Sequence, residues 1–198
     1  MGMPDFLQLD NALMFRGSNR YPRSFGLVIR LCLHYGVTPV FIPIGEPWRN
    51  GVIESFNNTY DKMFYRRQWF PSYSALKRQS KNFQRFHNKS HRYSCLKGKT
   101  ALETISGIDD TPVMLPPATK LPKLEHIPDG QIVIIRFIRS DRLLDIFTEK
   151  FEVPKELVYS YVKAVIDTSQ HVLNIYLGED LITSFEYSIP SDEGDLSP

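Results

Sequence analysis

Short apolar runs alternate with helix-spaced apolar positions over the first half of the chain. Phe6-Leu7-Gln8-Leu9, ending at Asp10, predicts a short buried strand over residues 4–10 that leads into a polar turn. Over residues 22–36, Phe25, Val28, Ile29 (or Leu31), Cys32 and Tyr35 recur at three- and four-residue steps. This spacing predicts a helix, with Gly36 as its stop. Residues 37–44 are rich in β-branched side chains and bounded by Gly36 and Gly45, which predicts a strand. Strand, helix, strand in that order indicates an α/β layer.

A loop at 45–50 precedes a long helix expected over 51–69. Its stripe of Ile53, Phe56, Tyr60, Met63 and Phe64 is expected to pack on the sheet, with Glu54, Asn58, Asp61, Lys62 and Tyr65 on an adjacent polar face. Pro71 breaks that helix. Ser72 caps the next, whose stripe is Tyr73, Leu76, Phe83 and Phe86. Residues 107–129 hold Pro112, Pro116, Pro117, Pro122 and Pro128 and predict a linker. Beyond it the apolar spacing becomes that of strands, at 131–139, 143–153, 161–167, 172–177 and 181–187, with turn signals such as Ser140-Asp141 and Gly178-Glu179-Asp180 between them. Five short strands fit a small SH3-like antiparallel β-barrel over 130–190. The acidic tail, 191–198, is expected to be disordered. This organisation makes residues 1–106 one domain, joined by the linker to the barrel.

Hydrophobic residues make up 42% of the 198 positions, which favours a packed core over disorder. Cys32 and Cys95 lie far apart without metal-ligand spacing, which suits a reducing cytosol. No secretory leader is visible at residues 1–12, and no apolar run approaches the ~20 residues of a membrane span. The net charge of +2 conceals a split. Residues 1–105 carry 16 Lys and Arg against 6 Asp and Glu, a net of +10, and the remainder carries −8. A basic front half is the footprint of a phosphate-backbone partner or, equally, a solvated basic surface.

Asp10 and Glu54 are the candidate chemistry. A carboxylate at the C-terminal end of a strand and another in the first turn of a helix can share a hard divalent cation for phosphoryl transfer. Local roles compete: a turn aspartate in Asp10-Asn11, and a glutamate favoured by the helix dipole. His87 and His91 are four residues apart, but no third ligand has suitable spacing, so a polar helix end with one satisfied histidine is the stronger reading. Trp69, Phe70 and Tyr73 offer base stacking, with core packing the more ordinary role.

The surrounding residues extend this picture. Leu9-Asp10-Asn11, then Val37-Thr38-Pro39, then Pro47-Trp48-Arg49-Asn50-Gly51-Val52-Ile53-Glu54-Ser55-Phe56-Asn57 resemble the integrase core of bacterial insertion-sequence transposases, the DDE class related to retroviral integrases. His87-Asn88-Lys89-Ser90-His91-Arg92 through Leu96-Lys97-Gly98-Lys99-Thr100-Ala101-Leu102-Glu103 is similar to the ending of that core. The resemblance covers about residues 4–105. It implies the C-terminal portion of a ribonuclease-H-like α/β fold, incomplete in this chain. Asp10 and Glu54 would be the second and third acidic ligands of a catalytic Mg2+ or Mn2+ site, provided the site is completed. Asn11 would support Asp10, and Asn11, Trp48, Arg49 and Asn50 would lie near DNA. Lys62, Arg66 and Arg67 would reach phosphates, although a solvated helix face accounts for them equally.

Implied partners are transposon-end and target DNA, an upstream transposase fragment carrying the first acidic ligand, and further copies in a homo-oligomer. The implied setting is the bacterial cytoplasm at the nucleoid, with no membrane. The chain departs from the family at Ala12, Ser55 and Ala101, where glycine, arginine and proline are usual, and in the long interval between Asp10 and Glu54. The family's first strands and first acidic ligand would lie upstream of Met1. The strand at residues 6–9 is therefore expected to be an exposed apolar edge, and the polypeptide alone is expected to lack strand transfer. A non-catalytic DNA-binding or protein-interaction module is the alternative.

Overall fold

The computed structural model describes residues 3–107 and 122–190. Within these, residues 3–50 and 122–190 form one compact unit and residues 51–107 form another. The first is built on a mixed sheet. β1 (Phe6–Leu9) is followed by the short α1 (Leu13–Arg16), α2 (Leu27–His34) and β2 (Thr38–Phe41). β1 and β2 are parallel, paired from Phe6 with Thr38 to Leu9 with Phe41. α2 buries Ile29, Cys32 and Leu33.

The helix is shorter at its start than its periodicity predicts, because residues 22–26 are held in another conformation. Arg23 takes a left-handed φ of 61°, and its guanidinium is gripped by both carboxylate oxygens of Glu149 at 2.9 and 2.8 Å. Gly26 then enters α2 with its N–H donating to the Arg16 carbonyl at 3.1 Å. A Cβ on Gly17 or Gly26 would come within 2.7 or 2.8 Å of the other's backbone nitrogen, so this crossing of two chain segments requires glycine at both positions.

The sheet continues through β3 (Gln131–Phe137). The hairpin β4 (Leu143–Ile146) and β5 (Glu149–Glu152) is a separate two-stranded sheet, and β6 (Tyr161–Asp167), β7 (Val172–Leu177) and β8 (Asp180–Glu186) complete the larger one. Its order is β1-β2-β3-β6-β7-β8. β3, β6, β7 and β8 form an antiparallel meander. The expected barrel is therefore corrected: these strands do not close. β3 pairs with β6 on one side and, in parallel, with β2 on the other, with Val40 opposite Val133 and Phe41 opposite Ile134. No edge of β3 is left for β8 to return to.

Alternation along β3, β6 and β7 sends Ile132, Ile134, Val162, Ala164, Ile166, Leu173 and Ile175 into the core. There they join Ile29, Leu33 and Phe41 from the N-terminal stretch and Leu144, Ile146 and Tyr187 from the C-terminal one. Each fully buried isoleucine or leucine stabilises by about 1.5–3 kcal/mol, so both stretches share one hydrophobic driving force. At the far end, β1 pairs on one side only. Phe6 is 65% exposed and Leu7 is also exposed, as expected of an apolar edge.

The second unit holds α3 (Gly51–Met63), α4 (Tyr73–Ser90) and the short α5 (Ala101–Ile105). α3 stops before the predicted Trp69, because Phe64 leaves helical geometry at φ −128°. Its stripe is divided. Phe64 is buried and Tyr60 half-buried, each with its ring centroid 5.3 Å from that of Phe83 of α4, while Ile53 and Met63 stay exposed. Ser72 caps α4 as predicted, accepting from the Ala75 N–H at 3.2 Å. α5 opens on a capping box: the Glu103 N–H donates to Thr100 Oγ1 and the Thr100 N–H to Glu103 Oε2. Most of the predicted linker and all of the acidic tail lie outside the described residues.

Candidate metal and nucleic-acid site

Asp10 stands half-buried just past the C-terminal end of β1, its Oδ1 accepting the Ala12 N–H at 2.9 Å. The turn it begins is clamped by the next residue. Asn11 Nδ2 donates to the Ile42 carbonyl at 2.7 Å, and Asn11 Oδ1 accepts from Arg136 Nη2 at 2.7 Å. Arg136 is 4% exposed. Its Nη1 also donates to the carbonyls of Ile42 and Ile135, and its Nε to that of Asp145. Burial lowers its pKa to about 10, Asp145 opposing that shift and Arg16 adding to it, so the guanidinium stays charged at neutral pH. Sequence reasoning missed Arg136. The signal was its place in the inward alternation Ile132, Ile134, Arg136.

Pro47–Asn50 forms a single 3-10 turn. Gln8 of β1 donates from Nε2 to the Arg49 carbonyl at 2.8 Å and to Asn50 Oδ1 at 3.1 Å, which ties this turn to the strand that carries Asp10. Glu46 accepts from the Tyr161 hydroxyl at 2.6 Å and from Arg49 Nε at 2.5 Å. These two bonds, Tyr161 first, hold its carboxyl below the ordinary value. Arg49 also lies over the Tyr161 ring at 5.0 Å, so part of its charge is already matched. Trp48 remains 67% exposed.

In the other unit, Glu54 is exposed in the first turn of α3. Lys62 and Arg67 are exposed, while Arg66 pairs with Asp61 at 2.5 Å. Asp10 and Glu54 thus belong to different compact units. Among the described residues, no three or more His, Cys, Asp or Glu side chains gather as a metal-ligand group. The donor chemistry of the two carboxylates, hard oxygen only, fits a cation of the Mg2+ type.

His87 and His91 stack at 4.9 Å. His87 is buried, with its Nε2 2.7 Å from the Tyr93 hydroxyl, and burial lowers its pKa. A neutral imidazole in an aromatic cluster is the satisfied histidine expected there.

A second feature missed in the sequence is the charge carried by α4. Lys77, Arg78, Lys81, Arg85 and Lys89 are all exposed on an 18-residue helix that has no acidic residue. None of them pairs with a carboxylate among the described residues. Residues 51–107 carry 11 Lys and Arg against 3 Asp and Glu, a net of +8. The signal was an acid-free run with cations at four-residue steps.

A family model described as "Integrase core domain" matches residues 35–100. This stretch, a third of the chain, is similar to the integrase core of DDE transposases and integrases. The integrase-core match takes in β2, the Pro47–Asn50 turn, α3 with Glu54, and α4 with its cations. No curated protein matches the chain. Among the described residues, no helix is long and apolar enough to cross a membrane.

Proposed function

We propose that the chain works in DNA integration, as part of a DDE transposase that transfers DNA strands with a divalent metal. The integrase-core match carries this reading, with Glu54 inside it in the first turn of α3. Asp10 and Glu54 would hold the ion, Mg2+ or Mn2+. When bound, such an ion lowers the pKa of the attacking hydroxyl and offsets charge at the scissile phosphate. The chain's own residues do the positioning. The Ala12 N–H orients the Asp10 carboxylate, and the Asn11–Arg136 pair fixes the turn behind it. Trp48, Asn50, Lys62 and Arg67 would meet DNA, Arg49 and Arg66 less strongly because Glu46 and Asp61 already share their charge.

Asp10 and Glu54 are two of the acidic ligands that such a site uses. A further transposase segment would complete the site, within an oligomer at the bacterial nucleoid. The test uses a transposition assay in cells. Asp10→Asn and Glu54→Gln are expected to abolish product while DNA affinity, measured on the purified chain, stays within about twofold, because the lost interaction acts on the reacting phosphate rather than on binding. Variants as active as the unchanged protein would sink the catalytic reading. They would favour the second one, a non-catalytic DNA-binding module, which the five exposed cations of α4 support on their own.

A further inference from the structure

Between α3 and α4 lies a cavity of about 710 Å3, lined entirely by residues of the 51–107 unit. Its aromatic side is Phe56, Tyr60, Phe83 and His87, with ring centroids 5.3 Å apart for Phe56–His87 and Tyr60–Phe83 and 5.6 Å for Phe83–His87. Burial favours the neutral form of His87 in this wall. Exposed Lys77 and Lys81 line the same cavity one helical turn apart, with Asn57, Gln84 and Asn88 as hydrogen-bonding groups. Tyr73, in the first turn of α4, contributes a ring that is 78% exposed. Such a ring contributes little to a core.

We propose that this groove binds single-stranded DNA, taking an unstacked base against its aromatic wall and Tyr73, and the neighbouring phosphates on Lys77 and Lys81. The inference rests on the DNA reading above and adds the form of DNA and the residues that grip it. Charge decides the occupant. The groove's wall is half formed by an acid-free helix, and its unit carries a net +8, which suits a polyanion. Aromatic faces beside cations are the pairing that single strands use, because unpaired bases expose faces that a duplex keeps stacked. Asn57, Gln84 and Asn88 can meet base edges with either donors or acceptors. A neutral apolar peptide would gain nothing from Lys77 and Lys81. An acidic amphipathic helix is the rival occupant.

The test is fluorescence anisotropy of the full chain on a labelled oligo(dT) and on a duplex of equal length, across a salt series. Stacking of one base is worth about 1–3 kcal/mol, roughly 5- to 150-fold in affinity. Tyr73→Ala is expected to weaken oligo(dT) binding at least about fivefold and to leave duplex binding unchanged, and Tyr73→Phe to restore it. Joint Lys77→Ala and Lys81→Ala substitution should lower the single-strand salt slope by about 1.4. Both positions are exposed, so these variants keep the fold. Duplex binding with oligo(dT) affinity unmoved by Tyr73→Ala would overturn the groove proposal and leave the DNA reading standing. Failure to bind either form would remove both. A Tyr73→Ala change that alters self-association in sedimentation, but not DNA affinity, would overturn the proposal in favour of a protein interface.

Discussion

Arg136 Nη2 donates to Asn11 Oδ1 at 2.7 Å, a bond between the interior of the sheet and the residue beside Asp10. The same guanidinium satisfies three backbone carbonyls, and Asn11 a bond to one of them, Ile42. Arg136→Met removes every donor and leaves buried acceptors unpaired. It is expected to cost about 3 kcal/mol, at the level of breaking a buried charged network. Asn11→Ala should cost about 1–3 kcal/mol, and the two changes should couple by at least ~0.5 kcal/mol in a double-mutant cycle. Urea unfolding of the four proteins measures this. Additive losses would mean that the two side chains act independently.

His87 makes the helical unit sensitive to acid. Burial depresses its pKa in the fold below the ordinary 6.5, with His91 adding to the depression and Asn88 opposing it. The unfolded chain therefore binds the proton more readily. Stability contributed by the neutral ring is fully present above pH ~6.5 and is lost as pH falls through that value toward the folded pKa. Melting curves from pH 8 to 5.5 should fall in the lower half of that range. The fall should shrink in His87→Phe, which keeps a ring in the cluster without the titration. An identical pH profile in both proteins would assign the acid sensitivity elsewhere.

The unpaired side of β1 offers backbone donors and acceptors next to exposed Phe6 and Leu7. Such an edge invites another strand. The chain is expected to self-associate in a concentration-dependent way, and Phe6→Lys, which places a charge on that edge, should shift it toward monomer. Sedimentation velocity at several concentrations reads this directly. A unchanged monomer for the parent protein at every concentration would count against the edge as a contact.

The legible parts of the sequence were those governed by local chemistry. Ser72 is a helix cap in the structure because its hydroxyl needs only the Ala75 N–H, three residues on. The strands at 161–167 and 172–177 were legible because alternation alone sets their faces. The failures came from distant partners. No period-2 pattern in residues 131–137 says that β3 pairs with β2 rather than closing on β8. Arg23 leaves the helical pattern because of Glu149, 126 positions away. At the candidate site, Asp10 and Glu54 were readable as residue types within family-like motifs, at an interval longer than the family's. Arg136 was not, since its inward place in the alternation gives no hint of the distant acceptors that hold it. The cations of α4 were present in the sequence and were averaged into the charge of a whole half.

The parallel pairing of β2 with β3 has a consequence for how this chain can be inherited. A C-terminal module joined by a flexible tether could be shuffled, swapped or lost as a cassette. Here the last six strands, four of the larger sheet and two of the hairpin, share a core with Ile29, Leu33 and Phe41, and cutting after residue 107 would strip one wall from that core and bare the edge of β2. The stretch that can change hands is instead the inserted one, residues 51–107, which begins after one strand and ends before its neighbour. Sequence drift should follow the same line, with residues 6–41 and 131–187 constrained to vary together.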